Sequence, residues 1–174
     1  DREHSQHVGA LSVQLFDIFA EVHGLPAETR DLLKAAAMLH DIGKFIDYSQ
    51  HHKHTLYLLS NINLPGYTSD ERDIIAHTAR YHRKSNPKAS HLEFQRLAPR
   101  KQEIILKLSV LLRIADSLDR SYSSSIVGLR GKKIDGKTWQ LGFEAASDSL
   151  LEKWAFNRKK ENFEKVFNTI LTLE

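Results

Sequence analysis

The chain is organised around the stretch Leu39-His40-Asp41-Ile42-Gly43-Lys44, which follows the apolar run 32–38. It places an imidazole beside a carboxylate at the end of a helix that is predicted to be buried, and Gly43 allows the backbone to turn so that both face one centre. Burying both groups without partners is costly, so they need a metal ion, a phosphate or a dense hydrogen-bond network. We favour a divalent metal site that is completed by residues distant in the sequence.

The composition narrows the class of protein and the kind of metal site. With 174 residues, of which 41% are hydrophobic and 27% charged, the chain resembles one soluble globular domain. The absence of cysteine excludes disulfides, thiolate metal sites and a cysteine nucleophile. A metal must therefore be bound by nitrogen and oxygen atoms, which suit Mn, Mg, Fe, Ni or Zn.

The overall charge and the start of the chain bear on partners and location. A net charge of +3 is too small to indicate nucleic acid, and the basic residues do not form a stripe interleaved with aromatics. No apolar run is long enough to cross a bilayer, and the first residues do not resemble a signal peptide. Because the sequence does not begin with Met, we expect a fragment of a longer protein.

The spacing of apolar residues predicts a mainly α protein whose character changes after residue 121. Asp135-Gly136 is a strong hairpin-turn signal between two predicted strands. We expect a helical core over residues 1–122 and a small α+β appendage over residues 123–174, which packs on the core and holds no cluster of site residues. The predicted helices cover residues 2–23, 29–40, 70–82, 99–121 and 150–167, with another that begins at His51, and the predicted strands cover residues 126–134, 138–143 and 169–173.

Two further metal ligands are expected from the first and the longest helix. His4 lies one turn before Val8 on the apolar face of the first helix, although spacing alone also allows a solvent-facing helix start. Asp116 lies inside the apolar run of the longest helix, where the alternative is an ion-pair ladder with Arg113 and Arg120. A carboxylate at such a depth rarely lacks a strong partner, and a metal ion is one such partner.

Basic and histidine side chains near these positions favour a site for phosphate groups. Arginine presents paired donors to phosphate oxygens, but cations at the end of a helix are also stabilised in solvent by the helix dipole. The histidines are candidates for a second metal or for support of the first, and a solvated helix start is the alternative for His51 and His54. The candidate substrate-binding residues are Lys44, Arg80, Arg83, Lys84, Arg113 and Arg120, and the additional histidines are His51, His54, His77 and His82.

Two imidazoles and two carboxylates, from His4, His40, Asp41 and Asp116, can neutralise a divalent cation and leave coordination positions for water and substrate. A metal in this setting lowers the pKa of bound water and polarises a phosphoryl oxygen. We therefore predict hydrolysis of a phosphate ester or anhydride, with Asp41 and Lys44 as catalytic residues. The neighbouring cations would stabilise the charge that develops on the phosphate.

The pattern of His4, then His40-Asp41, then Asp116 resembles the HD superfamily of metal-dependent phosphohydrolases. A closer resemblance is to the C-terminal HD-type region of the exopolyphosphatase/guanosine pentaphosphate phosphatase (Ppx/GppA) family, and it covers most of the chain. The blocks that carry it are His40-Asp41-Ile42-Gly43-Lys44, His51-His52-Lys53-His54, Leu64-Pro65-Gly66, Arg80-Tyr81-His82-Arg83-Lys84 and Leu112-Arg113-Ile114-Ala115-Asp116-Ser117-Leu118-Asp119-Arg120.

The resemblance implies an HD-domain helical bundle in a cytoplasmic hydrolase that acts on polyphosphate or on guanosine penta- and tetraphosphate. It also implies a longer parent chain, because exopolyphosphatase chemistry in that family belongs to N-terminal actin-like domains whose phosphate-binding loops are absent here. One alternative stays open, namely a non-catalytic module that binds a polyanion for those domains and forms a homodimer. The complete set of HD ligands favours a competent metal site.

Overall fold

A computed structural model describes residues 1–174 and has the mainly α architecture, with a small C-terminal α+β appendage, that the sequence predicts. None of its helices combines the length and the apolar character needed to cross a membrane. The elements are α1 (Arg2–Ile18), α2 (Ala20–His23), α3 (Thr29–Leu39), a 3₁₀ helix (Ile42–Phe45), α4 (His51–Asn61), α5 (Ser69–Arg80), α6 (Leu92–Gln95), α7 (Pro99–Ser117), β1 (Ile126–Lys133), β2 (Thr138–Ala145), α8 (Leu150–Phe167) and β3 (Ile170–Leu173).

The hydrophobic core is built around α7, which packs against α1, α3, α5 and α8. Leu108, Leu111 and Leu112 of this helix are fully buried. Burying one leucine side chain contributes about 1.5–3 kcal/mol, so burial around most of its circumference holds α7 firmly at the centre. Asp116 lies in the last turn of α7, and the core therefore fixes where its carboxylate points.

Two of the predicted helices end several residues earlier than expected. The first breaks at Phe19, whose fully buried ring contacts Trp139 of β2 and Phe163 of α8. The helix predicted to reach residue 121 ends at Ser117, and the amide of Ser121 donates instead to the buried carboxylate of Glu152 in α8. Contacts with the appendage thus accompany the interruption at Phe19, after which α2 begins, and the end of α7.

The appendage is a three-stranded sheet with the strand order β1-β2-β3. β1 is antiparallel to β2, β2 is parallel to β3, and α8 connects the parallel pair. The carboxylate of Asp135 closes the turn between β1 and β2 by accepting from the amides of Lys137 and Thr138. Gly131 of β1 approaches Ile18 so closely that a side chain would overlap it, so the sheet lies directly against the end of α1. The division at residue 122 stays a prediction.

Candidate metal centre

Three segments that are distant in sequence bring the four predicted metal ligands together. His4 lies in the first turn of α1, His40 and Asp41 directly follow α3, and Asp116 lies in the last turn of α7. The Nε2 atoms of His4 and His40 each lie 3.6 Å from Oδ1 of Asp116. His40 Nε2 also lies 3.7 Å from Oδ2 of Asp41. Two buried imidazoles therefore face two carboxylates across one small space.

A second group of nitrogen donors shares Asp41 with the first group. His51 begins α4, and His82 follows α5. Their Nε2 atoms lie 3.1 Å and 3.8 Å from Oδ1 of Asp41, and 3.2 Å from each other. Because the two oxygens of Asp41 face different histidines, this carboxylate lies where it could contact two cations.

Each of the four imidazoles is oriented by a hydrogen bond at its Nδ1 atom. The partners are Asp119 for His4 and the main-chain carbonyl groups of Ala37 for His40, Tyr48 for His51 and Ala79 for His82. A carbonyl oxygen or an ionised carboxylate only accepts, so Nδ1 carries the proton in every ring. The Nε2 lone pairs are then directed towards the aspartates, which is the arrangement typical of metal-bound histidine.

The unpaired nitrogen atoms of this cluster fit a metal ion. Nε2 of His4 and Nε2 of His40 are buried and have no hydrogen-bond partner. Leaving a buried polar atom unsatisfied costs about 1–3 kcal/mol, and a divalent ion that accepts both lone pairs would remove this cost. Imidazole nitrogen and carboxylate oxygen are also ligands that first-row divalent metals accept. The residues present could therefore bind a metal.

The carboxylates make the cluster favourable for a positive charge. Burial disfavours protonation of His4, but Asp116 and Asp119 outweigh this effect and raise the pKa of His4 to about 9. Burial also disfavours ionisation of Asp116, yet His4 and His40 hold its pKa well below the usual value. The pKa of Asp41 is lowered in the same way by His40 and Lys44. A cation between these groups is therefore stabilised: without a metal ion it is a second proton on Nε2 of His4, and a metal ion would displace that proton.

The turn that carries His40 and Asp41 is held against the start of α4. The amide of Gly43 donates to Thr55 Oγ1 at 3.0 Å, and this hydroxyl donates to the carbonyl of His40 at 2.9 Å. A Cβ atom on Gly43 would overlap the carbonyl oxygen of His51 and lie 2.5 Å from the amide nitrogen of Thr55. Gly43 does not have a positive φ. Glycine is therefore needed for close approach of two backbone segments, and not for the turning freedom expected from the sequence.

A cavity of about 290 Å³ opens onto the cluster. Asp41, Asp116, His51 and His82 line it, together with three of the predicted substrate-binding residues, which are Lys44, Arg83 and Arg120. The ammonium group of Lys44 pairs with Asp41 and donates to the hydroxyl of Tyr122 at 2.9 Å. Acidic and basic groups thus share one cavity, with the aspartates at the histidine cluster.

The other three predicted substrate-binding residues, Arg80, Lys84 and Arg113, do not line this cavity. Arg113 is buried and donates to the main-chain carbonyl groups of Tyr81, Lys84 and Ser85. It therefore holds the segment after α5. The guanidinium of Arg80 lies 5.2 Å from the ring centre of Tyr81.

Two of the predicted histidines, His54 and His77, lie outside the cluster. His77 is buried between Tyr81 and Phe94, with ring centres 6.4 Å and 6.3 Å away. His54 lies in α4 three residues after His51 and lines neither the cavity nor the group of metal-binding donors. Of the four additional histidines, the structure places His51 and His82 at the cluster.

Several residues of the site were not expected from the sequence. Asp119, which is fully buried and orients His4, follows Asp116 by three residues, and this helical spacing could have indicated it. The ring of Tyr122 stacks on His4 at 4.0 Å. The expectation that the appendage holds no site residues is wrong. Helix α8 contributes Trp154, Arg158 and Lys159 to the cavity wall, although a charged surface helix gives the same sequence pattern.

Comparison with known families shows which family the chain belongs to. A family described as "Ppx/GppA phosphatase, domain III" matches residues 1–160. The chain belongs to this family. Two curated relatives are both named guanosine-5'-triphosphate,3'-diphosphate pyrophosphatase.

Both relatives extend well beyond the region that matches this chain. The protein from Pseudoalteromonas atlantica (strain T6c / ATCC BAA-1087) is 30% identical over 146 residues, which cover 82% of this chain and 28% of the relative. The protein from Pseudoalteromonas translucida (strain TAC 125) is 36% identical over 89 residues, which cover 48% of this chain and 17% of the relative. The matched region is thus less than a third of either relative.

Proposed function

We propose that this chain is an HD-type domain that binds a divalent metal ion and hydrolyses phosphate ester or anhydride bonds. The observation that carries the proposal is the convergence of two buried, unpaired Nε2 atoms, those of His4 and His40, on the carboxylates of Asp41 and Asp116. Membership of the Ppx/GppA family supports phosphate chemistry. It also supports polyphosphate or guanosine penta- and tetraphosphate as substrates.

The residues divide into those that hold the metal and those that support it. A divalent ion bound here would lower the pKa of a bound water and polarise a phosphoryl oxygen. Asp119 acts as a positioning residue, because its hydrogen bond fixes the tautomer and orientation of His4. We assign His4, His40, Asp41 and Asp116 to the metal, and His51 and His82, with Asp41, to a second ion or to support of the first.

Lys44 is placed to act on the substrate. Burial disfavours its charged form, but Asp41 and Tyr122 outweigh this effect and raise the pKa of Lys44, so the ammonium stays charged. A fixed cation beside the metal ligands would neutralise charge that develops on a phosphate oxygen during hydrolysis. Arg83 and Arg120 line the same cavity and would bind further phosphate groups.

Metal content and hydrolysis test the proposal together. We expect about one equivalent of Mn²⁺ or Ni²⁺ per chain after loading and removal of excess ion, and metal-dependent hydrolysis of p-nitrophenyl phosphate or tripolyphosphate. Both should be lost in the double variant Asp41→Ala, Asp116→Ala. Asp31→Ala is the matched control, because Asp31 is an exposed carboxylate in the first turn of α3, whereas His40 and Asp41 follow the opposite end of that helix.

The number of metal equivalents bound distinguishes between a site with one ion, a site with two ions and a site without metal. About two equivalents of metal would assign His51 and His82 to a second ion. No bound metal in the wild-type chain would refute the enzyme proposal.

The second candidate function is a non-catalytic module that binds a polyanion. The observation that favours it is the set of arginines and a lysine that lines the cavity without carboxylate partners. It predicts that tripolyphosphate binds equally well to the wild type and to Asp116→Ala in the presence of a chelator, without hydrolysis in either case.

We also propose a setting for the domain. The share of each relative that the chain covers, 17% and 28%, supports a longer parent polypeptide. Actin-like domains within that polypeptide, a homodimer and a cytoplasmic location remain predictions from the family resemblance.

A further inference from the structure

Helix α8 forms one wall of the cavity that opens onto the metal cluster. Trp154, Arg158 and Lys159 of this helix line the same cavity as Asp41 and Asp116. Trp154 and Arg158 are four residues apart, so they lie on one face of the helix. The metal cluster comes from other helices, and α8 therefore adds a separate set of groups to the site.

The basic side chains that line the cavity outnumber its two carboxylates, those of Asp41 and Asp116. Lys44 is paired with Asp41, whereas Arg83, Arg120, Arg158 and Lys159 line the cavity and form no ion pair with an acidic residue. Burial and the neighbouring guanidinium groups of Arg113 and Arg120 lower the pKa of Lys159. Four cations that converge without a partner attract a ligand with several negative charges.

One aromatic ring at the same wall is open to a ligand. Trp154 is 54% exposed, and the guanidinium of Arg158 lies 4.9 Å from its ring centre. The rings of Tyr48, which is 67% exposed, and of Tyr122 also line the cavity. The ammonium of Lys44 lies 5.5 Å from the ring centre of Tyr48 and 5.2 Å from that of Tyr122, and the latter also stacks on His4. Trp154 is thus an exposed ring on the wall that α8 adds to the cavity, in the same helix as Arg158 and Lys159.

We propose that Trp154 is a stacking platform for a nucleobase, so that the ligand of this cavity is a nucleoside polyphosphate rather than a linear inorganic polyphosphate. The phosphate groups lie among Arg83, Arg120 and Lys159, and the base stacks on Trp154. An inorganic chain has no group that uses the exposed indole, whereas every nucleobase has a π-face. The cavity volume of about 290 Å³ is close to the lower end of the range for small-molecule sites. The proposal rests on the proposed function for the position of the reacting phosphate, but the binding does not require hydrolysis.

A matched pair of ligands isolates the contribution of the base. GTP and inorganic tripolyphosphate each carry three linked phosphates, and only GTP carries a base. Titration calorimetry at one ionic strength, with a chelator present to prevent turnover, gives both dissociation constants. We expect GTP to bind about tenfold more tightly, in line with the contribution of one base stacked on an aromatic side chain. ATP should bind about as tightly as GTP, because stacking tolerates either purine.

Substitutions then assign the effect to the indole. Trp154→Ala should reduce GTP binding to the level of tripolyphosphate and leave tripolyphosphate binding unchanged, while Trp154→Phe should retain most of the preference. Leu150→Ala is the matched control, because Leu150 is 71% exposed in the first turn of the same helix and does not line the cavity. Lys159→Met should weaken both ligands. Circular dichroism checks that each variant is folded.

Three results would overturn the proposal. They are equal affinity of the wild type for GTP and tripolyphosphate, an equal loss for both ligands in Trp154→Ala, and no measurable binding of either. Its failure is distinguishable from failure of the proposed function, which is tested by metal content and hydrolysis. If the chain binds no metal but prefers GTP, the stacking subsite is supported and the hydrolase proposal is refuted. If the chain is a metal-dependent hydrolase without a preference for GTP, the hydrolase proposal is supported and the stacking subsite is refuted.

Discussion

The substitution Gly43→Ala directly tests how the turn that carries His40 and Asp41 packs against α4. The added carbon would meet the carbonyl oxygen of His51 and the amide nitrogen of Thr55, and neither backbone atom can rotate away. Overpacking of this kind costs about 1–3 kcal/mol. The two hydrogen bonds through the Thr55 hydroxyl add about 1 kcal/mol each if the turn moves. Alanine also lowers the conformational entropy of the unfolded chain, which offsets only about 0.4–1 kcal/mol of this cost. We therefore expect the free energy of unfolding to fall by about 2–4 kcal/mol.

Urea unfolding followed by circular dichroism measures this loss, and a metal titration measures its consequence at the site. Displacing the turn moves Asp41 away from His51, whose Nε2 is 3.1 Å from Oδ1 of Asp41, so metal affinity should fall as well. Gly128→Ala is the control, because a Cβ atom on Gly128 meets nothing within 4 Å. Its stability should lie within about 0.5 kcal/mol of the wild type. The reasoning is refuted if both variants are equally stable.

Three further predictions follow from the structure. Asp119→Asn keeps the shape of the side chain but removes the charge that orients His4, so Mn²⁺ should bind about 10–100-fold more weakly by calorimetry; an unchanged dissociation constant would exclude a positioning role. His77 is buried, and burial lowers its pKa from 6.5 to about 4. Because the folded state then binds fewer protons than the unfolded state, this histidine lowers the free energy of unfolding as the pH falls below 6.5. The loss is about 3 kcal/mol at pH 4. The variant His77→Leu should lose that part of the pH dependence in urea unfolding, and a curve parallel to that of the wild type would contradict the assignment. Arg113→Lys cannot reproduce the donor fork that binds three carbonyl groups, so we expect a stability loss of about 2–4 kcal/mol with tripolyphosphate binding unchanged; a stable variant with weakened binding would instead place Arg113 in the ligand site.

Individual residues show how much of the structure the spacing of apolar residues could predict. Apolar periodicity located α1, α3, α5, α7 and α8, because a helix with one buried face repeats its apolar residues every three or four positions. The same periodicity did not indicate the break at Phe19, since its cause is a ring buried between β2 and α8. Propensity describes a segment by itself, whereas this break depends on elements more than 100 residues away in sequence.

The predicted substrate-binding arginines show the same limit of prediction from sequence. Arg113 lies in α7 and Arg120 lies three residues after the end of that helix. Both were predicted to bind substrate, yet Arg113 is buried against main-chain carbonyl groups while Arg120 lines the cavity. A guanidinium can donate hydrogen bonds to a main-chain carbonyl oxygen as well as to a phosphate oxygen. Its partner is therefore set by whatever backbone or ligand the fold brings within reach, and residue type does not reveal this.

By itself, the sequence determined the mainly α fold with its α+β appendage, the family, and the four side chains His4, His40, Asp41 and Asp116 that now face one another. These features follow from local periodicity and from the need of buried imidazoles and carboxylates for partners. Only the tertiary structure decided that His51 and His82 meet at Asp41, that Asp119 orients His4, and that α8 completes the cavity. The physical reason is that hydrophobic burial drives the packing without direction, so the faces that meet are chosen by the fit of the whole core and not by any one segment.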